Sequence, residues 1–280
     1  MSDLKIAIML GSLRMEPYAG MEKAREMGAD ALHISISGGP FSPENCQGAA
    51  RKELLNHVRS LGLEISAVSG WGGEVDLGDD EDVTEHIERG KRFLEMAADL
   101  ECGIWQGHIG VMPEDPTDPR WERFVNRCGE IAEHGEKVGA CLAIETGPEP
   151  PPVVKRLIET IGSEAIRVNY DPANLILWPP ALAKRSGEPY DRQAAWEKFM
   201  PVEGADLLGP YVVHVHAKDA FAADDGTARE VPLGEGQIDW PAFVSNLKKH
   251  GFDGYFAIER EVGENPVKDI QTALDFLRTL

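Results

Sequence analysis

Basic residues are scarce in this chain: 280 residues hold 28 Lys and Arg against 48 Asp and Glu, a formal charge of -20. Such a surface repels polyanions and counts against duplex nucleic acid or acidic membranes as principal partners. Cysteine is also sparse. Cys46, Cys102, Cys128 and Cys141 are widely spaced with no CxxC pair, which speaks against a zinc ribbon or a dithiol redox centre and reads as reduced thiols. Nowhere do eighteen apolar residues follow one another, so no spanning helix is expected. The opening MSDLKIAIML has neither the basic region nor the small-residue cleavage site of a secretion signal, and a cytoplasmic location is expected. There is no P-loop, because the GWGG and GEG runs lack its spacing and its lysine. Stretches without regular signal are rare too. The longest, Trp178 to about Glu188, reads as a loop inside a fold, and a single domain over 1–280 is expected.

What the chain does have is rhythm. Short apolar runs recur at KIAIML (5–10), DALHISIS (30–37), LEISAVSG (63–70), CGIWQGHIG (102–110), ACLAIETG (140–147), AIRVNYD (165–171), YVVHVHAKD (211–219) and GYFAIERE (254–261). Between them lie amphipathic segments at helical spacing, such as KELLNHVRSLG, EHIERGKRFLEMAADL and RFVNRCGEIAEHGEKVG. Several stop at a glycine, Gly62, Gly139, Gly162 and Gly251, which suits a left-handed C-terminal cap. Eight strands alternating with helices predict an α/β fold, a single-domain (β/α)8 TIM barrel, with a doubly wound open sheet as the alternative.

In VVHVHAKDA, Val212 to Ala220, side-chain alternation puts His214, His216 and Lys218 on one face and Val213, Val215 and Ala217 on the other. Active sites of this barrel sit at the C-terminal ends of the strands, and His108, Glu145, Asp171, His216 and Glu259 all end their runs. Alternation turns Glu145 inward with Ala143, and Glu259 inward with Ala257. Carboxylates converging on one mouth raise one another's pKa or hold a cation. Three carboxylates and one imidazole suit Mn²⁺, Mg²⁺ or Co²⁺; Zn²⁺ is less well matched, because a closed zinc site favours thiolates or several histidines. His214, one layer deeper, would orient a neighbour.

Other residues carry two readings each. His108 is either a hydrogen-bonded core histidine or a substrate contact, and Lys218 either binds a substrate oxygen or neutralises Glu259 or Asp219. His33 is a substrate contact or a buried orienting imidazole. Trp71 and Trp105 stack on the flat face of a ligand or simply pack. Glu235, in a glycine-flanked loop, reads first as a solvated turn.

AIETGP, VNYDPANLI, VVHVHAKDA, VPLGEGQIDWPAFVSNLKKHGFDGYFAIERE and the final DIQTALDFLRTL resemble the xylose isomerase-like TIM barrels, the sugar phosphate isomerase/epimerase group, over essentially the whole chain. The resemblance implies Glu145, Asp171, His216 and Glu259 as metal ligands, the four residues that the strand ends select. It further implies that the metal bridges the carbonyl and adjacent hydroxyl oxygens of a ketose, while Glu145 and Glu259 act as the two bases that epimerise or isomerise it through an enediolate. The same enediolate allows elimination, so a dehydratase or lyase acting on a keto-sugar or inosose is the enzymatic rival. A sugar-binding barrel without catalysis is the rival of another class. Two positions depart from the pattern. His33 stands where many members carry a glutamate on the second strand. Asn174, three residues after the aspartate, stands where the nuclease branch carries another histidine ligand, and it is counted here as a substrate contact. A small carbohydrate partner is expected and nucleic acid is not; self-association stays open. Loops 38–50, 111–119 and 178–210 would set specificity.

Overall fold

The computed structural model describes residues 3–71 and 75–280. Each apolar run forms a strand too short to bury itself alone, and the intervening amphipathic segments form the helices that cover it. The order is β1 (Lys5–Met9), α1 (Pro17–Met27), β2 (Ala31–Ser35), α2 (Ala49–Ser60), β3 (Glu64–Ser69), α3 (Thr84–Asp99), β4 (Ile104–Gly107), α4 (Pro119–Val138), β5 (Cys141–Glu145), α5 (Pro151–Ile161) and β6 (Ile166–Tyr170). It continues with α6 (Asn174–Ser186), α7 (Arg192–Phe199), α8 (Gly204–Leu208), β7 (Val212–Ala217), β8 (Asp219–Ala222), β9 (Ala228–Val231), α9 (Trp240–Lys249), β10 (Tyr255–Ile258) and α10 (Pro266–Leu277). Eight parallel strands close in the order β1-β10-β7-β6-β5-β4-β3-β2, and β8 and β9 form a separate antiparallel hairpin. This is a (β/α)8 barrel. β10 seals it, pairing with β1 from Lys5↔Tyr255 to Ile8↔Ile258.

Helix ends follow local chemistry. Pro119 starts α4 behind Asp118, whose carboxylate accepts from Arg120 N, and Gly139 ends it with φ 75°. Strand alternation then splits the barrel into two environments. Outward side chains such as Ile6, Ile8, Leu32, Ile34, Leu142, Ile144, Val168 and Val215 join the helices in one large apolar core. Inside, Ala7, Ala31 and Ala257 form a small cluster of their own on neighbouring strands. Their short side chains leave interior space that His33, His214 and His216 fill, with ring centroids 5.0 Å apart for His33–His214 and 5.1 Å for His33–His216.

Two features differ from the sequence reading. Trp178 to Glu188 is not a loop: α6 runs through Pro179 and Pro180 to a left-handed Gly187. The two prolines remove two ladder bonds, yet both rings are buried, which holds the helix together across them. The β8–β9 hairpin was also unforeseen. Its turn is built on Asp225-Gly226, where Gly226 has φ 81° and Asp225 Oδ1 accepts from Thr227 N at 2.8 Å. Among the described residues, no helix is long and apolar enough to cross a membrane.

Candidate active site and metal centre

β5 ends in Glu145, β6 runs into Asp171, β7 carries His216 and β10 runs into Glu259. One ligand atom from each of these four side chains lies within 4.8 Å of the others. Every one of the four faces inward at the C-terminal end of its strand, as alternation requires.

Glu145 is held from both oxygens. Gln106 Nε2 donates to Oε2, and His108 Nε2 lies 3.0 Å from the same oxygen. Asn174 Nδ2 donates to Oε1 at 3.1 Å, and His216 Nδ1 is also 3.1 Å from it. The same His216 nitrogen stands 3.1 Å from Glu259 Oε2, so one imidazole faces both glutamates. Asp171 is divided. Its Oδ1 accepts from Ala173 N at 2.8 Å and Asn174 N at 3.1 Å, at the start of α6, while its buried Oδ2 has no hydrogen-bond partner. Lys218 Nζ faces that oxygen at 3.5 Å, lies 3.2 Å from Glu259 Oε2 and 2.5 Å from Glu261 Oε2, and is itself only 4% exposed.

This crowding displaces the ionisation of every member. Burial pulls the Asp171 carboxyl up to about 7; Lys218 opposes the rise, and Glu259 and Glu145 add to it. Burial would raise Glu259 as well, but His216 and Lys218 outweigh it and hold it down at about 2. Glu145 is likewise held well below the usual carboxylate range, because His108 and His216 overcome its burial. His108 is pushed up to about 9, chiefly by Glu145. Burial would depress His216, yet Glu259 and Glu145 lift it well above the ordinary imidazole value.

One layer down, the imidazoles are fully buried. His33 Nδ1 is 3.3 Å from His216 Nε2, so His33 supports His216 from beneath and, at 0% exposure, offers no surface to a substrate. Burial lowers His33 to about 3. His214 pairs with Asn169 Oδ1 at 2.8 Å and Ser66 Oγ at 3.1 Å, which locks its ring. Trp71 does not stand in the mouth either. Its ring meets Trp105 edge-on at 4.6 Å and packs on Gly90 of α3, in the apolar layer between strands and helices. Trp105 lies in the same layer, and Glu235 is exposed.

Sequence reasoning missed several partners. Gln106 and Asn169 were visible in principle, since each sits two residues before a chosen residue, His108 and Asp171, and alternation puts such pairs on one face. Glu149, 3% exposed, accepts from Met112 N at 2.7 Å, and burial pushes it up to about 7. No spacing rule would have found it, because it lies in the loop after β5.

The donor set fits a divalent cation. Three carboxylates and one imidazole converge, and the buried Asp171 Oδ2 is an acceptor without a hydrogen bond, faced only by the Lys218 ammonium at 3.5 Å. A cation among these four would satisfy that oxygen, and a hard, oxygen-preferring metal matches the ligands best.

Known proteins agree with this architecture. The family model described as xylose isomerase-like TIM barrel matches residues 21–280. An L-ribulose-5-phosphate 3-epimerase of Salmonella heidelberg is 32% identical over 263 residues, covering 91% of this chain and 86% of that protein. A xylose isomerase domain protein from Planctomyces limnophilus superposes with a TM-score of 0.79 at 22% identity, over 99% of this chain and 96% of that one. A xylose isomerase-like TIM barrel protein from Mycobacterium smegmatis, solved in complex with magnesium, superposes with a TM-score of 0.70 at 17% identity, over 98% and 96% of the two chains. The structural likenesses speak for the fold alone; the family match spans most of the sequence, and the chain belongs to the xylose isomerase-like TIM barrel family.

Proposed function

We propose that the protein is a divalent-metal-dependent carbohydrate epimerase or isomerase that works through an enediolate. The observation that carries this reading is the Glu145–Asp171–His216–Glu259 cluster with its unsatisfied Asp171 Oδ2. Similarity to a protein named as a ribulose-phosphate epimerase supports the reaction class, and the magnesium complex of a fold relative supports the choice of a hard cation.

Bound among those four residues, a divalent cation would supply electrophilic polarisation of a carbonyl and its neighbouring hydroxyl, acidifying the C–H between them. The chain's own residues do the rest. Glu145 and Glu259 come from β5 and from the end of β10, strands separated in the ring by β6 and β7, so they approach a bound sugar from different sides. One carboxylate takes the proton at carbon and the other returns one, on the opposite face for epimerisation or at the adjacent carbon for isomerisation. Both are held ionised, which suits bases waiting for a proton. Gln106, Asn174 and His108 fix the orientation of Glu145, and Lys218 fixes Glu259. His108 keeps 30% of its side chain exposed beside Glu145 and can donate to a sugar hydroxyl.

The test is NMR-detected deuterium incorporation from D2O into a panel of ketoses, 3-keto-sugars and inososes, with Mn²⁺ and again after EDTA. Metal-dependent exchange at carbon is the expected result. Its absence across the panel, with Mn²⁺ binding verified independently, would overturn the reading. An ultraviolet enone signal accompanying exchange would reassign the enzyme as a lyase using the same enediolate.

A further inference from the structure

Beneath the four ligands the barrel interior holds a second polar layer, and its contacts dictate the sense in which its protons run. Ser66 on β3 has a single hydroxyl proton and two neighbours, the Leu32 carbonyl at 3.2 Å and His214 Nε2 at 3.1 Å. A carbonyl only accepts, so the proton goes to Leu32; the other choice would set two oxygens 3.2 Å apart with no proton between them. His214 must then donate from Nε2 to the Ser66 oxygen. Burial keeps His214 and His33 neutral, and a neutral imidazole carries one N–H. With its proton on Nε2, His214 presents a bare Nδ1 to the Asn169 side chain of β6, 2.8 Å away, and only the amide nitrogen can fill that contact. A half-turn of the amide exchanges its oxygen and nitrogen without a change of shape.

The layer above sends its protons the same way. His216 Nδ1 is the nitrogen that faces Glu145 and Glu259, each at 3.1 Å, so a cation held there takes that lone pair and the ring proton stands on Nε2. His33 Nδ1, 3.3 Å from His216 Nε2, accepts that proton's hydrogen bond, and His33 keeps its own proton on Nε2. Among the described residues, His33 Nε2 and the second polar atom of the Asn169 amide are both buried without a hydrogen-bond partner. With the amide turned as His214 requires, these two are a donor and an acceptor, and a direct approach or one bridging water would satisfy both; unturned, they are two donors. The His33 and His214 rings stand edge-on with centroids 5.0 Å apart, which brings the two layers together.

Resting on the metal-dependent reading above, we infer that His33 and Asn169 are positioning residues: the barrel interior carries one directed hydrogen-bond run, from His216 through His33 and Asn169 to His214, Ser66 and the Leu32 carbonyl, which holds the bare Nδ1 of His216 toward the cation. Both residues are 0% exposed, so they act through His216 and not on the substrate. An imidazole suits the second strand for this task because it accepts on one nitrogen and donates from the other, where a carboxylate would only accept and end the run.

Two measurements decide the point. Long-range ¹H–¹⁵N correlation spectra of protein labelled with ¹⁵N at histidine, recorded without metal and again with Mg²⁺, report which ring nitrogen carries the proton. His33 and His214 are both expected in the Nε2–H form in either condition; an Nδ1–H form of His214, or a mixture of forms in either ring, would overturn the inference. The second measurement compares Mn²⁺ affinity, by electron paramagnetic resonance, in His33→Asn and His33→Leu. An Asn amide offers an oxygen close to the place of Nδ1, so His33→Asn is expected to bind within about threefold of wild type, and His33→Leu about tenfold or more weakly. Unchanged affinity in His33→Leu, or an equal loss in both variants, would show that the ring only packs and would sink the inference. If His33→Leu fails to fold, the wild-type spectra still decide. If the wild type binds no Mn²⁺, it is the metal reading that falls, and the metal-free spectra still judge the run.

Discussion

Lys218 and Asp219 are neighbours in sequence, and each belongs to a buried carboxylate centre of opposite construction. On the Lys218 side, Glu145, Asp171 and Glu259 crowd together, partly compensated by His216 and Lys218, with one oxygen left without a hydrogen bond. On the Asp219 side a single carboxylate is met by five N–H donors, four from the backbone and one from an indole. Burial raises both Asp171 and Asp219, but only at Asp219 do surrounding donors pull back in number. The second centre is satisfied by the fold itself, whereas the first keeps a buried oxygen that no hydrogen bond meets. A buried acid's role is therefore readable from the inventory of its partners, where burial alone says little.

Substitutions should separate the two centres. Glu145→Gln or Glu259→Gln is expected to cut exchange by about 10³-fold or more with only a modest fall in melting temperature, since the lost pairing with His108, His216 and Lys218 is partly offset by relief of the carboxylate–carboxylate repulsion. Comparable loss of stability and activity would erase the distinction. Asp219→Ala should do the reverse. It strands five donors, and urea unfolding should show a loss of about 4 kcal/mol, with whatever protein stays folded still binding Mn²⁺.

Glu149 is the intermediate case, buried with a single backbone donor from Met112. Its carboxyl is raised from 4.5 to about 7, so the folded state holds a proton that the unfolded chain releases, and stability falls as pH rises between those values. Glu149→Gln keeps an acceptor for Met112 without the charge. It should therefore gain stability at pH 8 relative to pH 4, by at most about 3 kcal/mol, measured by thermal melts across that range. A flat difference would place Glu149 with Asp219. The smallest effect concerns the cation. Asp171, raised to about 7, must lose its proton to bind. Mn²⁺ affinity measured by electron paramagnetic resonance should fall as pH drops below 7, by up to about tenfold per unit for that proton and by up to about as much again for the proton that His216, lifted well above the ordinary imidazole value, must also release.

Much of this was legible in the sequence, for identifiable reasons. The eight strands showed because each is a compact apolar run bounded by polar residues, and the inward direction of Glu145 and Glu259 followed from a period of two. What escaped had competing causes. Pro179 and Pro180 read as breakers because a sequence does not show that both rings will be buried. The β8–β9 hairpin is short, and its strands DAFA and AREV carry little β-branched character despite the Asp-Gly turn. Trp71, beside glycines at a strand end, looked like a mouth residue; Gly90 on α3 leaves room that draws the indole into the apolar layer instead. Glu149 and the partners of Asp219 depend on which loops meet, and loop encounters leave no local pattern.

The pairing of β1 with β10 has a consequence for how the ring closes. Until β10 takes its place between them, β1 and β7 keep open hydrogen-bonding edges. Glu259 travels with that last strand, following directly on Ile258. A barrel without β10 therefore lacks both a closed ring and one of the acidic side chains that converge at its mouth, and its two open edges invite pairing with another chain.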